Sequence, residues 1–205
     1  MMQSGSMLFL NEHQVIRLED DDDILLSVVT DGRAADTFTV DYPSAGYGGG
    51  ELYLSPLGQH LVFSYFSGES EEAFLLLKIV QGHLEPLYSS GYRNGEGTSY
   101  AFLAGESLLL ETLRTGWWCE DTAETDQDGR AFYRFGEIRL LDIGKGAMEV
   151  HTVRVYPPSG WEKNEDEDEG EFRILEAEED LLRLEAPWGE ETVSLPLDGD
   201  IIFTP

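Results

Sequence analysis

The stretch "LYLSPLGQHLVFSYFSG", residues 52–68, decides the fold class of this chain. A short apolar run, residues 52–54, ends in the turn-forming tetrad Ser55-Pro56-Leu57-Gly58. A second apolar run, residues 61–66, follows at once. Two short apolar runs around a Pro/Gly turn indicate a β-hairpin. The rest of the sequence shows whether this hairpin is isolated or repeated.

The same pattern of apolar run, tight polar turn and apolar run recurs along the chain. It occurs at residues 18–26, 54–63, 103–110 and 175–182, and the stretch 135–143, FGEIRLLDI, would anchor a fifth unit. A spacing of about 40 to 45 residues matches a four-stranded propeller blade. The sequence therefore predicts an all-β, antiparallel fold, a small β-propeller or propeller-like array of four or five units. A two-sheet β-sandwich is the alternative.

Three segments need a decision between structures. Residues 70–82 combine a capping Ser, early acids and a final Gly, as helices do, but residues 74–80 lack a polar face apart from Lys78. We predict a buried strand there and a hairpin over residues 176–185. The alternation that starts at Met148 changes phase at Thr152-Val153, which predicts a β-bulge.

The first hairpin and the strand after it resemble a known repeat. Residues 55–63, followed by residues 72–79, are similar to the inner hairpin and third strand of a WD-repeat-like β-propeller blade. Leu57 replaces the Asp of the usual Ser-Pro-Asp-Gly turn, and the Trp-Asp dipeptide is absent. Gly82-His83 is similar to the start of such a repeat. The resemblance implies a radial β-fold that serves as a scaffold for proteins or peptides, and it implies no catalytic residues.

Composition bounds the organisation of the chain. With 205 residues, 41% of them hydrophobic, we expect a single all-β domain over residues 7–205. Residues 1–6 are interpreted as a tag scar or a disordered N-terminus without a structural role. The sequence contains no apolar run of membrane-span length and no secretory signal pattern. A single cysteine, Cys119, fits a reducing compartment, so we predict a cytoplasmic location.

Charge is the strongest compositional feature. Asp and Glu number 41 against 13 Lys and Arg, a formal net charge of −28. Such a chain is expected to be repelled by nucleic acid and by anionic membranes. Three interpretations remain open: a solvating acidic coat, as in salt-adapted proteins; an acidic face for a basic protein partner, including DNA mimicry; and cation binding.

Two dense acidic runs are the candidate partner-binding residues, since like charges at this density favour solvated loops or interaction segments. We predict a non-enzymatic acidic binding protein or scaffold that contacts a basic protein, and an immunity or inhibitor role against a basic toxin is its sharper form. The oligomeric state stays open. The candidate residues are Glu19, Asp20, Asp21, Asp22 and Asp23, and Glu165, Asp166, Glu167, Asp168 and Glu169.

One short segment is a candidate calcium site, and no other cofactor is predicted. Glu124, Asp126 and Asp128 alternate before Gly129, like the first half of a calcium loop. The ninth and twelfth positions fall on Phe132 and Phe135 instead of acids, so an acidic hairpin turn is the competing interpretation.

The alternative function is a carbohydrate-active or other hydrolase with a carboxylate pair in a central cleft. Its catalytic residues are not assigned, because 41 acids supply pairs by chance. An acid with a raised pKa in a deep pocket beside a tryptophan would favour the hydrolase. A flat acidic face would favour the binding protein. The tryptophans, at 117, 118, 161 and 188, are expected mainly in the core.

Overall fold

Strands account for most of the described chain in the computed structural model of this protein. The described residues are 3–20, 24–40, 50–66, 71–91, 93–115, 123–157 and 171–204. The chain divides into two compact units, residues 1–94 and 95–205.

Unit 1 is made of two sheets. The strands are β1 (Gln3–Gly5), β2 (Met7–Phe9), β3 (Gln14–Asp20), β4 (Ile24–Thr30), β5 (Arg33–Val40), β6 (Gly50–Leu54), β7 (His60–Phe66), β8 (Glu71–Val80), β9 (His83–Ser89) and β10 (Arg93–Asn94). One sheet has the strand order β1-β6-β7-β8, with β9 and β10 both pairing with β8, and the other has the order β2-β3-β4-β5. All of these described pairings are antiparallel.

The turn between β6 and β7 shows how the opening stretch folds. The Ser55 hydroxyl accepts hydrogen bonds from the backbone N–H groups of Gln59 (3.1 Å) and His60 (2.9 Å). Gly58 has φ 69°, a left-handed conformation that glycine adopts without steric cost. The turn thereby sets the register Leu54↔Leu61, which sends Leu52, Leu54, Leu61 and Phe63 to one face.

The two sheets of unit 1 share one hydrophobic core. A further tie between them is the hydrogen bond from the Leu84 backbone N–H to the Asp36 carboxylate, 2.9 Å. The core consists of Leu8, Ile16, Ile24, Leu26, Val28, Val40, Leu52, Leu54, Leu61, Phe63, Tyr65, Ala73, Leu77 and Leu84.

Unit 2 also contains two sheets. The strands of unit 2 are β11 (Glu96–Leu103), β12 (Leu108–Arg114), β13 (Glu124–Thr125), β14 (Ala131–Asp142), β15 (Ala147–Val155), β16 (Arg173–Ala177), β17 (Leu181–Ala186), β18 (Gly189–Ser194) and β19 (Ile201–Phe203), with a 3-10 turn at Ala104–Glu106. One sheet has the order β11-β12-β14-β15-β19, with β13 pairing with β14, and the other is β16-β17-β18. Among the described pairings, only β15–β19 is parallel.

The core of unit 2 again lies between its two sheets. The Ser99 hydroxyl accepts a hydrogen bond from the Ile174 backbone N–H at 2.8 Å, which ties β16 to β11. Phe135 packs edge-on against Phe172 and Trp188. The core consists of Leu103, Leu110, Phe135, Ile138, Val153, Val155, Phe172, Leu182, Leu184, Ala186, Ile201 and Phe203.

The all-β, antiparallel prediction is confirmed. Residues 71–80 form the strand β8 and not a helix, and residues 173–186 form the β16–β17 hairpin. Each of the four repeated turns joins two strands that pair with each other, and each of these hairpins belongs to a different sheet. The propeller and sandwich arrangements stay predictions, as does the single-domain organisation. Within the described ranges, no helical segment has the length and hydropathy of a membrane span.

Two local predictions are corrected. Residues 3–5, expected to have no structural role, form β1 and pair with β6. The bulge predicted in β15 lies instead on its partner β14, where Phe135 is the extra residue between Arg134 and Gly136. The change of phase along β15 arises because Val150 is half-exposed while His151 is buried.

Candidate functional site

Unit 2 contains a cavity of about 670 Å³ beside the turn that follows β13. The neighbouring strands β14, β15 and β19 supply its other walls, because the β14–β15 and β15–β19 pairings bring residues 132–134, 154–156 and 202 side by side. The lining residues are Glu124, Thr125, Asp126, Gln127, Asp128, Arg130, Phe132, Arg134, Arg154, Tyr156 and Ile202.

The turn at the cavity is organised by Asp126. Its Oδ1 accepts the backbone N–H groups of Asp128 (3.0 Å) and Arg130 (2.8 Å), and its Oδ2 accepts the Tyr156 hydroxyl at 3.1 Å. Asp therefore stabilises the turn locally, as its short side chain does in many tight turns. The hydrogen bond from the Arg130 backbone is the largest of the influences that lower the Asp126 pKa below its ordinary value. Asp126 is thus an anion at neutral pH.

Two arginines and two aromatic rings lie in contact with one another in the cavity wall. The Arg130 guanidinium lies 4.5 Å from the Tyr156 ring centroid, and the Arg154 guanidinium lies 4.7 Å from that of Phe132. The two ring centroids are 5.6 Å apart. Cation–π contacts of this kind hold the flat guanidinium face against the ring.

The three arginines of the cavity differ in their ionic partners. Arg134 forms a bidentate pair with Glu124, with Nε–Oε1 at 2.6 Å and Nη2–Oε2 at 3.1 Å. Arg154 pairs with Asp200. The Arg130 guanidinium has no carboxylate of the described residues within ion-pairing distance, although it lies close enough to lower the pKa of Asp126. Arg130 is therefore the cation most available to a ligand.

Two of the three residues of the calcium prediction have partners in the described structure. Glu124 pairs with Arg134, and Asp126 accepts hydrogen bonds from the turn and from Tyr156. In the described part of the chain, no three His, Cys, Asp or Glu side chains are grouped so as to hold a metal ion, and Glu124, Asp126 and Asp128 are all within that part. The segment forms the hairpin turn between β13 and β14, and calcium binding by Glu124, Asp126 and Asp128 stays a prediction.

The first predicted acidic run is only partly placed. Glu19 ends an alternating stretch of β3, and its carboxylate lies 3.7 Å from Arg17 at a half-exposed position. The backbone of Asp20 completes β3. The remaining predicted residues, Asp21, Asp22, Asp23, Glu165, Asp166, Glu167, Asp168 and Glu169, lie outside the described residues.

A third acidic region, which the sequence prediction did not include, lies on the outer side of the β16-β17-β18 sheet. Arg173 pairs with Glu171 (2.8 Å) and Glu185 (2.5 Å), and Arg183 pairs with Glu176 (2.9 Å) and Glu190 (2.8 Å). The β16–β17 turn adds three exposed acids. We define the acidic face as Glu171, Arg173, Glu176, Glu178, Glu179, Asp180, Arg183, Glu185 and Glu190, seven carboxylates against two guanidinium groups.

A sequence signal for this face was available. Residues 182–186 alternate, with Leu182, Leu184 and Ala186 buried and the polar residues between them on the other side. The alternation identified the strand correctly, but its polar members also specify a charged surface. The cavity had no comparable signal, because its walls come from segments far apart in the sequence.

The hydrolase alternative gains no support from the described residues. The cavity carboxylate with a shifted pKa is Asp126, and the shift is downward, so it is not poised to donate a proton at neutral pH. Trp188 is partly buried and packs against the core of unit 2, with Nε1 donating to Glu191 at 2.7 Å. His60 and His151 are both buried.

Comparisons with known proteins leave the family open. No family model matches the chain, and no curated protein matches it. Among solved structures, TolB from Acinetobacter baumannii is similar with a TM-score of 0.34 and 8% identity over 96% of this chain. The chain spans 55% of the length of that structure. A similarity at this TM-score and identity supports no conclusion about fold or function.

Proposed function

We propose that this chain is a non-enzymatic binding protein that contacts a basic protein partner through the acidic face of unit 2. The observation that carries the proposal is the composition of that face: seven carboxylates and two guanidinium groups on the outer side of one sheet and its turn. Together with the net charge of −28, this creates a negative potential that would steer a basic partner toward the chain.

The arrangement of the two arginines supports a preorganised face. Arg173 lies between Glu171, which precedes its own strand, and Glu185 of β17, and Arg183 lies between Glu176 of β16 and Glu190 of β18. The hydrogen bond that Arg183 donates to Glu190 raises its pKa most, followed by the one to Glu176. These ion pairs are exposed, so their contribution to folding stability is small. Their effect is to keep carboxylates in fixed positions on a rigid sheet, which lowers the ordering cost of binding.

The predicted acidic runs extend the proposal. Glu165, Asp166, Glu167, Asp168 and Glu169 precede Glu171 in the sequence by only a few residues, and the proposal includes them as contacts for the same partner. Glu19, Asp20, Asp21, Asp22 and Asp23 belong to unit 1 and form a separate candidate contact. An immunity or inhibitor role, against a basic toxin or nuclease, is the sharper form of the same proposal.

The test is a capture experiment with matched charge variants. The wild-type chain is compared with the triple variant Glu178→Lys, Glu179→Lys, Asp180→Lys, and with the control Glu12→Lys, Glu85→Lys, Asp198→Lys, which changes three exposed acids elsewhere by the same total charge. We expect a stoichiometric basic protein that is retained by the wild type and the control. The face variant should bind it at least about tenfold more weakly.

Salt dependence shows whether binding is electrostatic, and the matched variants show whether it depends on the acidic face or on net charge alone. A partner held by the acidic face should dissociate as added salt screens the charges, and the control variant should follow the wild type at every salt concentration. Equal loss of the partner in both variants would mean that only net charge matters. Capture of no basic protein at low salt would contradict the proposal and leave the acidity as solvation.

A further inference from the structure

We propose that the cavity beside the 126–130 turn binds a small organic molecule through its carboxylate or phosphate group, with Arg130 as the principal contact. The cavity volume of about 670 Å³ lies within the range of about 300–1,000 Å³ that is usual for small-molecule sites. The site lies in unit 2, and the proposal is independent of the acidic face.

Arg130 presents unused hydrogen-bond donors. Its side chain is exposed, its guanidinium lies over the Tyr156 ring, and no carboxylate of the described residues pairs with it. A guanidinium that is held by its face keeps its N–H groups available at its edge, in a fork that fits carboxylate and phosphate oxygens. Tyr156 is in turn held by its hydrogen bond to Asp126, so the platform under Arg130 is fixed.

Arg154, in contrast to Arg130, is already engaged by its neighbours in the cavity wall. Its Nε is buried and has no hydrogen-bond partner within the described residues, although the far end of the same guanidinium pairs with Asp200. This nitrogen is closed to solvent, so it is not a contact for a ligand, and Arg130 remains the donor that the cavity offers. The cation of the cavity without a carboxylate partner is therefore Arg130, and a ligand that complements it carries an oxyanion group.

The remaining lining leaves one cation for a ligand and adds an apolar contact. Arg134 and Arg154 are engaged by Glu124 and Asp200, so Arg130 is the guanidinium without a carboxylate partner, and the exposed Asp128 is the carboxylate without a side-chain partner in the described lining. Ile202, which is 60% exposed, adds an apolar contact at the cavity. A molecule with an apolar body and an oxyanion group satisfies both features better than a bare inorganic ion.

The proposal is tested by titrating the full chain with defined probes, followed by calorimetry and by NMR of the Tyr156 region. The probes are benzoate, phenyl phosphate and inorganic phosphate, with benzamidine as a cation of the same shape as benzoate. We expect saturable binding of benzoate or phenyl phosphate, weaker binding of inorganic phosphate and none of benzamidine. The tighter of the two ring-bearing probes identifies carboxylate or phosphate as the natural group.

Matched variants assign the binding to this cavity. Arg130→Ala should weaken binding of the better probe at least about tenfold, since a charge-assisted bidentate contact is lost. Arg130→Lys should weaken it less, because the charge stays while the fork is lost. Arg33→Ala, which removes an exposed arginine of unit 1, should leave the affinity unchanged, and melting temperatures check that each variant is folded.

Three results would overturn the proposal. The first is failure of both ring-bearing probes to bind at about 10 mM, a concentration above the dissociation constant of even weak sites. The second is binding of benzamidine as tight as that of benzoate, and the third is an equal effect of Arg130→Ala and Arg33→Ala.

Discussion

Ser55 shows how one buried hydroxyl sets a hairpin. It is 3% exposed, and its Oγ accepts two backbone N–H groups that close the β6–β7 turn. Ser55→Ala would leave these donors without their acceptor inside the turn, so we expect a loss of about 1–3 kcal/mol in the free energy of unfolding.

A matched serine is available for comparison. Ser107 is exposed, and its hydroxyl donates to the Ala104 carbonyl at 2.9 Å. Water replaces such a bond readily, so Ser107→Ala should change stability by less than about 0.5 kcal/mol. Denaturant unfolding of the two variants, with equal slopes, measures the difference, and equal losses would contradict the role assigned to Ser55.

Gly136 is required by space and not by backbone conformation. A Cβ at this position would lie 2.5 Å from the Leu113 carbonyl oxygen in the neighbouring strand β12, a contact that forces the strands apart. We expect Gly136→Ala to destabilise unit 2 by about 1–3 kcal/mol in the free energy of unfolding.

Gly144 provides the control for this prediction. At Gly144 the nearest atom is the Asp142 Oδ1 at 3.5 Å, so Gly144→Ala should cost less than about 0.5 kcal/mol. Thermal unfolding of both variants checks this, and a Gly136→Ala variant as stable as Gly144→Ala would count against the close approach.

At the scale of elements, β8 explains why residues 71–80 resembled a helix. Ala73, Phe74, Leu76 and Leu77 are all fully buried, so residues of both strand faces are shielded from solvent and no alternation remains in the sequence. A strand buried on both faces is a continuous apolar run, as is a buried helix, and the absence of a polar helical face was the decisive feature.

The 126–130 turn should depend on the ionisation of Asp126. Because the pKa of Asp126 is lower in the folded chain than its ordinary value of 3.8, its ionised form stabilises the fold. This contribution is fully present above the ordinary pKa and is lost as the pH falls through the lower folded value. We therefore expect the advantage of wild type over Asp126→Asn in melting temperature to shrink between about pH 5 and pH 3.

The neighbouring Asp128 provides the control for this titration. Its backbone N–H donates to Asp126, while its own carboxylate accepts no hydrogen bond from the described residues. Asp128→Asn removes the same charge from the same turn, so a pH effect that comes only from net charge would appear equally in both variants. Such equality would refute the stabilising role of the Asp126 anion.

At the scale of the whole molecule, the charge of −28 predicts that salt stabilises the fold. Self-repulsion among 41 acids opposes compaction, and salt shortens its range from about 10 Å at 0.1 M to about 3 Å at 1 M. We expect sodium chloride to raise the melting temperature, by about 2–4 °C for each 1 kcal/mol of relieved repulsion. Sucrose at matched osmolality serves as the uncharged control. A melting temperature that falls with salt would show that repulsion among the acids does not limit the stability of this protein.

Local sequence determined the fold class, the hairpins and the acidity of this protein. Turn residues and side-chain alternation act over a few positions, so the hairpin at Ser55, the strand β8 and the polar side of β17 follow from their own residues. The phase change along β15 was visible as well, but its cause was not, because the bulge at Phe135 belongs to the facing strand.

Tertiary structure alone decided where the cavity lies and which residues share it. The parallel pairing of Val153–Val155 with Ile201–Phe203 brings Ile202 beside Arg154, and the β14–β15 register brings Phe132 and Arg134 to the same site. Pairings across about 50 residues depend on burial of the common core and not on any local pattern. The sequence could therefore supply arginines, aromatic rings and an acidic turn, while their convergence into one site required the folded sheet.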